Sequence, residues 1–101
     1  MVLTDHNGRA VRFTLERLGH VLEHPEMAGQ LDRVTETLAR PEQVVASIID
    51  PSVHVYSRFY PTTPVTSKYM HVAIKVLPED AFILTAYYSS REKRGEPIWK
   101  S

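Results

Sequence analysis

Two histidines four positions apart, His20 and His24, with Glu23 between them, are the first residues of this sequence able to do chemistry. On one helix, histidines at i and i+4 share a face and can hold a zinc ion, with the glutamate beside them as a base. The order His-x-x-Glu-His matches one zinc-hydrolase pattern. Pro25 follows directly, however, and no second helix offers a third ligand. No metal site and no cofactor are expected. Without a metal, either histidine suits proton transfer, because its ordinary pKa of about 6.5 lies near working pH. The plainer reading makes His20 a hydrogen-bonded, half-buried residue and His24 a capping residue.

The second half of the chain supplies cations, hydroxyls and aromatics. Lys75 lies in an apolar run and either emerges into solvent or meets an anion. Arg58 has the same two readings, and its planar fork suits phosphate better than an ammonium does. In Thr85-Ala86-Tyr87, the threonine hydroxyl can donate to a phosphate oxygen and the tyrosine can stack a base. The plainer reading of both is that they are good strand formers. Tyr56, Tyr60, Tyr69, Tyr87 and Tyr88 interleave with basic residues, a pattern shared by RNA-contact surfaces and by ordinary packed sheets.

The elements that must position these residues follow from 101 residues, enough for one domain with a modest core. Apolar residues make up 43% and charged residues 24%, the composition of a folded chain. With no cysteine there is no disulfide framework and no thiolate chemistry. The longest apolar stretch, such as Ala81 to Tyr88, is far short of the roughly 20 residues of a membrane helix. The N-terminus lacks a signal-peptide pattern, so a cytoplasmic domain is the expectation. Net charge is zero, but residues 1–50 carry five basic and eight acidic groups, and residues 51–101 seven and four. The second half is the one suited to phosphate or to an acidic partner.

Residues 2–13 predict a hairpin around Asn7-Gly8. Thr14 is a good N-cap, with Phe13 and Leu18 placed as a hydrophobic staple. Leu15, Leu18, Val21 and Leu22 are the expected buried stripe, and Pro25 ends that helix. A second helix is expected over 26–39, with Met27, Leu31, Val34 and Leu38 inward. A helix-turn-helix fails on the position of Pro25 and on the acidity of both helices.

Strands are expected over 44–49, 53–60, 69–77 and 82–88, with a polar segment at 89–95 and Ile98-Trp99 packed back on the body. Two helices on an antiparallel sheet make an α+β domain with one sheet face covered and one wet. Alternation then collects Arg58, Tyr60, His71, Lys75, Thr85 and Tyr87 on the wet face.

Taken in order, Thr14-Leu-Glu-Arg-Leu-Gly-His20, His24-Pro-Glu-Met27, Thr37-Leu-Ala-Arg-Pro41, Thr85-Ala-Tyr87 and Lys93-Arg-Gly-Glu-Pro-Ile-Trp99 resemble small phage- and bacterium-associated families of the barnase–EndoU–colicin–RelE nuclease fold. The resemblance covers nearly the whole chain. It implies helices on an antiparallel sheet and a metal-independent ribonuclease site on the exposed sheet face. Many relatives are toxins paired with a small antitoxin protein. His24, Lys75 and Thr85 match where such families place polar site residues, and His20 and Arg58 are additions. A barnase-like glutamate base on a central strand is missing.

The expected site therefore has His20 or His24 as acid and base, with Lys75 and Thr85 acting on the phosphate. Arg58, Tyr60, His71 and Tyr87 would hold RNA. The reaction is attack of a 2′-OH on the adjacent phosphate, which selects RNA. The alternative is a non-catalytic RNA- or protein-binding module using the same face. Catalysis requires His20 or His24 within reach of Lys75 and Thr85.

Overall fold

The computed structural model describes residues 1–101. The chain opens with a hairpin of β1 (Val2–Thr4) and β2 (Ala10–Arg12), turned at Gly8, whose φ of 82° is easily reached only without a side chain. The Asp5 carboxylate stiffens this turn by accepting from the backbone N–H groups of Asn7 and Arg9. Helix α1 (Leu15–Val21) begins as expected, with the Thr14 hydroxyl accepting from the Arg17 N–H at 3.2 Å. It is only seven residues long.

The expected second helix is two pieces. Pro25–Met27 form a 3-10 turn, Gly29 breaks the chain with φ 74°, and α2 (Leu31–Ala39) follows. Five strands complete the chain: β3 (Gln43–Ala46), β4 (Val53–Tyr60), β5 (Lys68–Leu77), β6 (Asp80–Ser89) and β7 (Glu96–Lys100). The first expected strand stops at Ala46, and Ile48 and Ile49 stand exposed in the following turn.

All seven strands form one sheet in the order β1-β2-β6-β5-β4-β3-β7. It is mixed and not wholly antiparallel, because β2 runs parallel to β6 where Arg12 meets Phe82. Ile98-Trp99 does not merely pack on the body but belongs to an edge strand paired with β3. To reach that edge, residues 90–95 leave β6 and pass β5, β4 and β3.

The main core lies between the sheet and the helices. Val21, Met27, Val34 and Leu38 meet Tyr56, Met70, Val72, Ile74, Ile83 and Ala86 there. Burial of such side chains is worth about 1.5–3 kcal/mol each. A second, small cluster of Val45, Val55 and Ala73 lies on the other face.

Leu15 and Leu22 do not join the core. They are 86% and 47% exposed, since so short a helix rests on the sheet chiefly through Val21. No helix is long and apolar enough to cross a membrane.

Candidate functional site

Cross-strand partners lie on the same face of a sheet, so the registers assign every strand residue to a side. One open-face row reads Lys100, Gln43, Ser57, His71 and Tyr87 across five strands. A second reads Val45, Val55, Ala73 and Thr85, and a third Val53, Lys75, Phe82 and Arg12. Phe59, Tyr69 and Ser89 form the row at the other end. His71, Lys75, Thr85 and Tyr87 thus share one face, as the alternation predicted.

Thr85 reaches this face through a bulge. The register slips by one residue between Ala73 and Ile74, so Ile83 and Ala86 both turn inward while Phe82, Thr85 and Tyr87 turn outward. Unbroken alternation would have put Ile83 on the side of Thr85 and Phe82 on the side of Ala86, and the bulge reverses both.

Arg58 and Tyr60 are not on this face. Their strand turns Tyr56 and Tyr60 toward the helices, and Arg58 shares their side. Arg58 donates to the Arg40 carbonyl at 2.8 Å, capping α2, and lies 3.6 Å from Glu36. The Tyr60 hydroxyl donates to Glu36 at 2.5 Å. Burial and that carboxylate push its pKa up to about 12, and the same bond draws Glu36 below the usual carboxylate range.

His20 and His24 are also elsewhere. α1 ends at Val21, so the two do not stand on one helix, and both are exposed on the covered side of the sheet. Each lies near a local carboxylate, His20 3.6 Å from Glu23 and His24 3.7 Å from Glu26. The sheet separates them from Lys75 and Thr85. The expected union of these four residues does not form, and no cluster of metal-ligating side chains exists.

The open face has its own histidine, and it is buried. His71 is 1% exposed between Ser57, at 2.6 Å from Nδ1, and Ser89 and the Arg91 carbonyl, at 2.9 and 3.0 Å from Nε2. A carbonyl only accepts, so Nε2 carries the hydrogen and Nδ1 accepts from the Ser57 hydroxyl. Burial holds the His71 pKa below its ordinary value, and the charge of Lys93 adds to this. The imidazole is neutral at pH 7.

The segment after β6 builds this environment. Arg91 caps His71, the Lys93 carbonyl accepts from the Gln43 amide at 3.0 Å, and Gly95 lies against Val45 and the Ala46 carbonyl. A Cβ at Gly95 would overlap that carbonyl oxygen, which is why glycine stands there. Arg91, Lys93 and Arg94 are exposed and make no ion pair.

Lys75 does meet an anion, but an internal one. Its ammonium donates to Asp50 at 2.6 Å, and this bond, with those from Ser52, holds the Asp50 carboxyl down at about 2. Aromatic rings run along the face beside these groups. The Phe59 and Tyr69 centroids are 5.1 Å apart, Tyr69 stacks toward His71 at 6.2 Å, and Tyr87 lies 5.2 Å from His71 on the other side.

Ser57 and the three cations Arg91, Lys93 and Arg94 were not singled out by the sequence. Ser57 became a partner of His71 only through the register of β4 and β5, though its place in the alternation opposite Tyr56 was a usable signal. Arg91, Lys93 and Arg94 are a plain basic run whose position over the face depends on the path to β7.

No protein-family model, curated protein or solved structure matches the chain. The fold and site define an α+β domain with one helix-covered sheet face and one polar, aromatic face.

Proposed function

We propose that the chain binds single-stranded RNA on the sheet face opposite the helices, along the partly exposed rings of Phe59, Tyr69 and Tyr87 and not over the buried His71. The observation that carries this reading is the set of rings on two neighbouring rows, Phe59 and Tyr69 on one and Tyr87 on the next, with the exposed cations of Arg91, Lys93 and Arg94, which make no ion pair, on the segment that follows β6. Aromatic rings stack bases whatever their identity, and nearby cations hold the phosphates. Thr85 lies one row from Tyr87, where its hydroxyl can donate to a phosphate oxygen.

Metal-independent cleavage of that RNA is the second reading, favoured by the adjacent rows that hold Tyr87, His71, Thr85 and Lys75. It is the reading with which a toxin role would go. Here His71, not His20 or His24, takes the 2′-OH proton. The attacking oxygen then bonds to phosphorus as the bond from phosphorus to the 5′-oxygen breaks, the 5′-oxygen takes a proton from water, and Thr85, with Lys75 once it exchanges Asp50 for the phosphate, faces the charged phosphorane. His71 becomes accessible only when residues 89–95 lift away from it.

The test is fluorescence anisotropy of a labelled 12-nucleotide mixed-sequence RNA in EDTA, with the products run on a gel. Stacking is worth about 1–3 kcal/mol per base, so Tyr87→Ala weakens binding about 5- to 150-fold. Neutralising Arg91, Lys93 and Arg94 lowers the salt slope by about 0.7 for each phosphate left without its cation. Binding unchanged by both variants refutes the reading. Cleavage abolished in His71→Asn and Lys75→Ala supports the second reading. Cleavage abolished only in the double variant His20→Ala, His24→Ala refutes the role given to His71.

A further inference from the structure

Between α1 and α2, on the covered side of the sheet, a cavity of about 200 Å³ is lined entirely by apolar side chains and one glycine. Phe13, Val21, Met27 and Val34 are its buried walls, and Leu22 and Leu31 are its exposed ones. Leu15 and Leu18 on α1 and Leu22 at its C-cap recur at i, i+3 and i+7, so a stripe of leucines leads along the helix to the cavity. Leu15 is 86% exposed, although it belongs to the side that a longer amphipathic helix would bury.

The surroundings are acidic. Residues 13–34, which span the lining, contain Glu16, Glu23, Glu26 and Asp32 against two arginines, Arg17 and Arg33. Glu16 is next to Leu15, Glu23 to Leu22, Glu26 to Met27 and Asp32 to Leu31. The only other titratable side chains on this stretch are His20 and His24, beside Glu23 and Glu26. An apolar groove with carboxylates beside Leu22, Met27 and Leu31 complements an amphipathic segment whose polar side is positive.

We propose that this groove is a docking site for a basic amphipathic helix of a partner protein. One leucine- or phenylalanine-sized side chain enters the cavity, and flanking lysines or arginines lie beside Glu23, Glu26 and Asp32. The size is right, since an apolar cavity of about 150 Å³ takes a benzene ring. The groove lies on the side of the sheet opposite the aromatic rows, so a partner helix and a strand of RNA can be bound together. This inference is independent of the RNA reading.

The probe is a synthetic 18-residue helical peptide of leucine and lysine in an amphipathic pattern, beside the same peptide with glutamate for every lysine. Binding is followed by methyl NMR of the full chain. The expected result is shifts confined to Leu18, Leu22, Met27, Leu31 and their neighbours, with the acidic peptide at least tenfold weaker. Leu31→Lys and the pair Glu23→Lys, Glu26→Lys each weaken the basic peptide at least tenfold. All three positions carry exposed or half-exposed side chains, so these variants keep the fold, and an unchanged melting curve shows it. Equal binding of both peptides, shifts on the open face, or indifference to both variants overturns the proposal. So does sedimentation showing a dimer of the free chain whose dissociation moves the same methyl groups, because the occupant is then a second copy.

Discussion

Lowering the pH below 6.5 should weaken this fold through His71, and the structure sets the sign and the ceiling of the effect. In the folded chain the imidazole is neutral, with Nδ1 accepting from Ser57 and Nε2 donating to the Arg91 carbonyl. Protonation puts a hydrogen on Nδ1 and forces the Ser57 hydroxyl to turn its own hydrogen away in a site that is 1% exposed. It also buries a charge near Lys93. The folded pKa is therefore below the unfolded value of about 6.5. Between the two values the unfolded chain binds a proton that the folded chain does not, so stability present above pH 6.5 is lost as the pH falls toward the folded pKa. One proton corresponds to at most about 1.4 kcal/mol for each pH unit.

The assay is urea unfolding of the wild type and of His71→Asn at pH 7.5, 6.5, 5.5 and 5.0. Asparagine replaces some of the hydrogen bonds and cannot titrate. His54 is also depressed by burial, with Arg9 contributing, but it is common to both chains and cancels in the comparison. The stability of the wild type should fall faster than that of the variant below pH 6.5. Parallel curves would refute the burial of a neutral His71 and, with it, the account of the segment that covers it.

Two further predictions concern the frame of the site. Tyr56→Phe removes a buried hydroxyl that donates to Asp5 at 2.6 Å; a hydrogen bond to a charged group is worth about 1.5–3 kcal/mol, so urea unfolding should show a loss of that size. Burial raises the Asp5 carboxyl, but the bonds from Tyr56, Arg9 and Asn7 outweigh it and its pKa is low. The contribution of Asp5 is thus lost only as the pH falls below about 4, and the variant should show less of that acid loss. Gly95→Ala forces a Cβ against the Ala46 carbonyl and should cost about 1–3 kcal/mol, with amide exchange quickened first in β7 and β3; unchanged exchange there would refute the close approach.

Much of this fold was legible in the sequence because local rules act on neighbouring residues. Asn7-Gly8 marked the hairpin, Thr14 capped a helix, and alternation marked β4, β5 and β6. That Lys75, His71 and Tyr87 belong to one face follows from period-2 geometry and the pairing of two neighbouring strands. Which face lies under the helices did not follow. β4 has Val53 and Val55 on one side and Tyr56 and Tyr60 on the other, so hydrophobicity alone does not choose between them. Tertiary structure chose the tyrosine side, moving Arg58 and Tyr60 off the open face and placing His20 and His24 across the sheet from Lys75. It also buried the valine side, because the chain must cross three strands to reach β7 and covers His71 on the way. A bulge, a crossover and the choice of a covered face are set by contacts between residues far apart in the chain, and those contacts leave no periodic mark on either partner alone.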